Sequence, residues 1–166
     1  AQRVNPGPAA EASDAAPSAG AAYVFTRTAG IWSQQAYLKA SNTQVGDAFG
    51  AGLGLLDDAL VVGAVWEDSG ATGVDPGATA QADNSSNNSG AAYVFTRSGA
   101  TWSQSSYVKA SNTGAGDAFG ITVAASGTGF AVGDGLEASS ATGVNPGALA
   151  EADNAALYSG AVYVYR

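Results

Sequence analysis

The chain has 166 residues, with 14 acidic side chains against 6 basic ones, a formal net charge of −8, and no Cys, His or Met. Without Cys and His there is no disulfide framework, no thiolate nucleophile and none of the usual zinc, copper or haem ligand sets, so any metal must be held by oxygen, which suits calcium. The acidic balance argues against nucleic acid as a partner, and no apolar run approaches the roughly 20 residues that span a bilayer.

The first recognisable phrase in chain order is "VNPG" at Val4–Gly7, followed by "AGAAYVFTR" at Ala19–Arg27. In the second phrase Tyr23, Phe25 and Arg27 alternate with Val24 and Thr26, the period of a strand. A short link, Thr28–Gly30, leads to a second strand at Trp32–Lys39, and a polar loop follows at Ala40–Asp47. Phe49–Leu56 and Ala59–Val65 are predicted as the next two strands, joined through Asp57 and Asp58, a hairpin length. After a long loop, Trp66–Ser89, the chain repeats itself: "SGAAYVFTR" at Ser89–Arg97, then strands at Trp102–Lys109, Phe119–Ser126 and Gly129–Gly135. Ala148–Ala156, within the second long loop (Leu136–Ser159), is alanine-rich beside Pro146-Gly147; it reads as loop with room for one helical turn. "SGAVYVYR" closes the chain at Ser159–Arg166.

Gly20, Gly90 and Gly160 mark a period of about 70 residues, and aligning 20–89 with 90–159 gives roughly 38 identities without a gap. Four antiparallel strands per unit of this length, A to D from inside to outside, describe a β-propeller blade. The predicted fold is all-β: about two and a third tandem repeats, read as strands C-D in 1–47, a complete blade in 48–110, and strands A-B-C in 118–166. Closed propellers usually have about four to eight blades, so the ring is incomplete. Either other copies of the chain or the rest of a longer propeller must cover the partial blades. Gly20, Tyr23, Phe25, Trp32, Tyr37, Tyr163 and Tyr165 are the candidate assembly residues. One strand C is redundant if copies simply join end to end. Opening on Ala1 without a signal-peptide pattern, the chain reads as a processed or excised product.

"DAFG", then "LVVGA", then "SGAAYVFTR" resembles the FG-GAP repeat of bacterial surface proteins, the unit that also builds the integrin α-subunit propeller. Phe49-Gly50 and Phe119-Gly120 stand for the "FG" element. Gly63-Ala64-Val65 stands for "GAP" without its proline, and Gly133-Asp134-Gly135 departs further, which predicts a less regular inner-strand end. The resemblance implies a non-enzymatic, extracellular or cell-surface binding or adhesion module. It also implies a calcium loop between strands A and B, but "LLDDAL" and "ASGTGF" are too short and too poor in carboxylates to supply one.

Antiparallel order puts the short A–B and C–D links on one face and the long B–C and D–A loops on the other. Most acids fall on the long-loop face, the candidate surface for a cell-surface protein or glycan. Two roles compete there. Glu67, Asp68, Asp83 and Asn84, with Glu137, Asp153 and Asn154 in the next unit, could hold calcium; alternatively these Asp and Asn residues cap turns through their own backbone. Asp47 and Asp117 read as turn formers. Tyr23, Phe25, Trp32 and Tyr37 recur because each blade buries the same side chains, with an aromatic sugar pocket as the alternative. Lys39 and Lys109 are expected to pair with nearby acids, pairs that contribute little to stability where they are exposed. With no His, Cys or G-x-S-x-G elbow, only carboxylates remain for acid–base work, so an enzyme is not expected. The rival to a binding module is a structural subunit that self-assembles into an oligomer or filament through its unpaired strands.

Overall fold

A computed structural model describes residues 4–5, 8–127 and 129–166; Pro6 and Gly7 of the first "VNPG" lie outside them. Among the described residues nine strands form three antiparallel sheets. β1 (Ala22–Thr28) and β2 (Ile31–Leu38) form the first; β3 (Phe49–Leu56), β4 (Ala59–Ala64), β5 (Ala91–Ser98) and β6 (Thr101–Val108) form the second. The third contains β7 (Phe119–Ser126), β8 (Gly129–Asp134) and β9 (Ala161–Tyr165). Helix is confined to single turns: α1 (Pro8–Glu11), α2 (Ala148–Glu151) and a 3-10 turn at Ala80–Ala82. The sheets are one four-stranded β-propeller blade between two partial ones, an incomplete ring.

Alternation along the repeated phrase builds the interior. In β5, Tyr93 and Phe95 are fully buried and pack edge-on against Phe49 of the same blade, with centroids 5.4 and 6.0 Å away. The other face of that blade contributes Val61, Ala92 and Val108 to a second cluster with Phe119 and Val132 of the third sheet. Blade therefore packs on blade through two apolar layers, one on each side of the central sheet. Gly63 permits the closest approach. A Cβ there would lie 1.9 Å from the Gly120 carbonyl oxygen, so only a residue without a side chain lets β4 lie directly on β7. Gly90 has φ +80° and sits where a Cβ would meet the Phe119 carbonyl at 2.1 Å; parallel bridges Gly20↔Phe49 and Gly90↔Phe119 tie each strand C to the next strand A.

The outer hairpins carry a one-residue bulge, where Val24 pairs with Ala36 but Phe25 with Gln34, and Val94 with Ser106 but Phe95 with Gln104. A bulge re-aims the extra side chain. Gln35, the extra residue of β2, accepts a bond from the buried Trp102 Nε1 at 2.9 Å and so locks the first sheet to the central blade.

The repeated aromatic residues are buried as expected in the complete blade, where Tyr93, Phe95, Trp102 and Tyr107 are 0–3 % exposed. Their counterparts in the first sheet differ. Tyr37 is buried, but Tyr23, Phe25 and Trp32 are 51, 52 and 65 % exposed. The difference follows from position in the array: in the central blade these side chains share one cluster with Ala22, Val24, Ala36 and Leu38 of the first sheet, whereas among the described residues no further sheet lies against the face of the first sheet that carries Tyr23 and Phe25.

Candidate functional site

The B–C loop (66–89) and the D–A loop (40–47) interlock at one end of the central blade. Ser41 Oγ donates to Gln81 Oε1 at 2.6 Å, and the Gln44 and Asn84 amides exchange two bonds. At the base of this face lies Glu67, 2 % exposed. Its Oε1 accepts from Tyr107 Oη at 2.9 Å and Asn42 Nδ2 at 2.8 Å; its Oε2 accepts from Lys109 Nζ at 2.9 Å and the Ser69 amide at 3.1 Å. Lys109 is wholly buried, and its other two protons go to Ser89 Oγ and the Gly90 carbonyl. Burial pulls the Lys109 ammonium below its usual range, while Glu67 opposes the shift.

The expected pairing of Lys109 with a nearby acid is met by Glu67, in the interior rather than in water. Strand D delivers its terminal lysine inward, under the long loop, where every donor and acceptor is matched. Such a pair adds little net stability, yet losing one partner leaves an uncompensated buried charge. It therefore bolts the B–C loop to strand D. Lys39, the counterpart in β2, is half-buried, donates to the Gly20 carbonyl, and has no carboxylate within ion-pair distance among the described residues.

The other candidate ligands are engaged in turn geometry. Asp68 Oδ1 accepts from the Asn88 amide at 2.7 Å. Asp83 accepts from the Gly70 and Ser85 amides and from Ser85 Oγ, bonds that hold its carboxyl below the usual range. Asp153 repeats this arrangement with Ser140 and the Ala155 amide, and Asn154 is exposed. Glu137, 4 % exposed, accepts from Asn112 Nδ2 and the Ser139 amide, both at 3.0 Å on Oε1. Among the described residues no three acidic groups converge to hold a metal. The structure thus places the calcium candidates in turns and in the Glu67 network without bringing them together as one ligand set. The A–B link offers no alternative, since Asp58 pairs with Arg97 at 2.6 Å.

Asp47 and Asp117 form turns as expected, each accepting from the amide three residues earlier at 2.7 Å. Burial pushes Asp47 up to about 6 against the Gln44 bond that favours its charged form. One charged residue escaped the sequence reading. Asp134 is 1 % exposed and neither carboxylate oxygen has a partner at full hydrogen-bond geometry, although the Glu137 and Leu136 amides lie close enough to favour its charged form. Burial, then the Asp117 and Glu137 carboxylates, push it up to about 8. Its sequence clue was the departure of Gly133-Asp134-Gly135 from Gly63-Ala64-Val65: an acid stands where the other unit has a fully buried alanine.

Stacked antiparallel blades with long loops gathered at one end define a repeat protein of the β-propeller type. The FG-GAP repeat family model matches residues 32–95, from β2 to β5. Residues 32–95 are thus similar to an FG-GAP repeat. No curated protein matches it.

Proposed function

We propose that the chain is a non-enzymatic binding or adhesion module, extracellular or at the cell surface, that presents its B–C and D–A loop face to a surface protein or glycan. The buried Glu67–Lys109–Tyr107 network carries this reading. It gives a long loop a fixed shape on a rigid blade, and preset loops lower the ordering cost of binding. Above the network the same face exposes acidic and apolar side chains, including Asp75, Val74 and Trp66. The test is retention of the chain on a glycan array and on intact cells. Trp66→Ala on the loop face should abolish retention, whereas Asp57→Lys at the opposite end should not; equal effects of the two would sink the loop-face assignment.

A second reading is self-assembly by strand complementation between copies. Tyr23, Phe25 and Trp32 are exposed in the first sheet, and β9 pairs on one side only.

A further inference from the structure

Glu67 holds more than a counter-ion. Its Oε2 accepts from the Lys109 ammonium at 2.9 Å, and its Oε1 accepts from the Asn42 side-chain amide at 2.8 Å. One carboxylate thus carries an amine nitrogen on one oxygen and a primary amide nitrogen on the other. The oxygen of that amide is engaged as well, since Tyr93 Oη donates to Asn42 Oδ1 at 2.6 Å. These groups come from four places in the chain: Asn42 from the loop after β2, Glu67 from the B–C loop, Tyr93 from β5 and Lys109 from the end of β6. The carboxylate, asparagine and tyrosine contacts recur at Glu137, Asn112 and Tyr163, so they are a feature of the repeat.

An ion pair needs only the first of these contacts. Together they are what acyl transfer between two side chains requires: an amine nucleophile, a carbonyl to attack, a donor for the developing oxyanion, and a base in reach of both nitrogens. Lys109, Glu67 and Tyr93 are 0–2 % exposed, so bulk water competes for neither the amine nor the carbonyl. Asn42 is half-buried, which gives a small leaving group a way to solvent. Burial pulls the Lys109 ammonium below its usual range and so favours the neutral amine. Burial, then the Glu67 charge, hold the Tyr93 phenol well above its own range and keep it a donor.

We propose that Lys109 and Asn42 join in an intramolecular isopeptide bond, with Glu67 as the catalytic residue and Tyr93 as the oxyanion donor. The ion pair is the reactant state. Glu67 takes a proton from the Lys109 ammonium, and the freed amine lone pair adds to Asn42 Cγ while the carbonyl electrons move to Oδ1, where Tyr93 Oη donates. Glu67 gives its proton to Nδ2 and takes another from the Lys109 nitrogen. The carbonyl then re-forms, the Cγ–Nδ2 bond breaks and ammonia leaves. One ammonium, one carboxylate and one primary amide become one secondary amide, one protonated Glu67 and one ammonia, with no change of oxidation state. The bond ties the loop after β2 to the end of β6, and so the first sheet to the central blade. In a chain without cysteine it takes the place of a disulfide, restricting the unfolded state in the same way. It is independent of what the loop face binds.

The purified chain is weighed by mass spectrometry after denaturation and mapped by peptide digestion, beside Lys109→Met, Asn42→Ala, Glu67→Gln and Tyr93→Phe. The expected wild-type mass is about 17 Da below the sequence value, the loss of one ammonia, with a branched peptide joining residues 42 and 109. Lys109→Met, Asn42→Ala and Glu67→Gln should each keep their full sequence mass. Tyr93→Phe retains the buried ring and should form the bond about tenfold more slowly or worse, followed by mass from the time of synthesis. A folded wild type at its full sequence mass overturns the proposal, whatever the variants do. A loss that persists in Lys109→Met, as from a succinimide at an asparagine, overturns the lysine as nucleophile. A link from Lys109 to Glu67, with loss of about 18 Da as water, overturns Asn42 as the acceptor. Equal rates for Tyr93→Phe and wild type overturn the oxyanion role of Tyr93.

Discussion

Replacing Asp134 with alanine, the residue at the equivalent position 64, should stabilise the protein, by an amount that grows with pH. The sign follows from which state holds the proton. Asp134 has a folded-state pKa raised from 3.8 to about 8, so between these values the folded state binds a proton that the unfolded state has released. Stability is greatest below pH 3.8 and falls as pH rises towards 8. At about 1.4 kcal/mol per pH unit, Asp134 removes about 4 kcal/mol between pH 4 and pH 7. Asp47, raised to about 6, removes about 2 kcal/mol over the same window by the same reasoning. Urea unfolding of the wild type should therefore show a steep loss across this range, and Asp134→Ala should keep only the shallower part due to Asp47 and to Asp117, whose carboxyl burial also raises. At pH 4, where the carboxyl is protonated, the two proteins should agree to within about 1 kcal/mol. Equal pH slopes for the two proteins would show that the Asp134 carboxyl is not held protonated by burial in solution.

Lys109→Met should destabilise by about 3–5 kcal/mol, read by urea unfolding, because it leaves Glu67 charged and buried without its counter-ion. A loss below about 1 kcal/mol would place the pair in water. Gly63→Ala should cost about 1–3 kcal/mol or more, as β4 and β7 must separate to admit the methyl group, and thermal melting would reveal it. Calcium or chelator should leave the melting temperature unchanged, because Glu67, Asp68 and Asp83 already bond within the chain; a calcium-dependent rise that Asp83→Ala removes would restore these residues as ligands.

Strand positions were legible because each blade is written with side-chain alternation and short Asp-Asp or Ala-Gly links, features that act locally. Ala148–Glu151 turned out to be the single helical turn that its alanine run and preceding Pro-Gly permit. What the repeat could not reveal was the environment at each copy. Trp32 and Trp102 are the same letter in the same register, yet one is exposed and the other buried, because only Trp102 lies between neighbouring sheets. Lys109 meets an acid as its position predicts, but its burial was not legible for a related reason. Lysine at a strand end usually reaches water, and its inward course depends on Glu67, Tyr107 and Ser89 converging from loop and strand. Asp134 stood out in sequence only as an irregular "GAP" element; its burial comes from the packing around β8, which no local pattern encodes.

Hydrogen exchange along the B–C loop tests most directly whether the loop face is preset by the buried lysine. The amides of Ser69, Ser86, Ser89 and Gly90 should exchange on the slow timescale of β4 and β5, since they are bonded to Glu67 Oε2, Asp68, Ser86 and the Glu67 carbonyl. In Lys109→Met their protection should collapse while that of β4 persists. Fast exchange of these amides in the wild type, or protection that survives loss of Lys109, would contradict a loop face bolted from beneath.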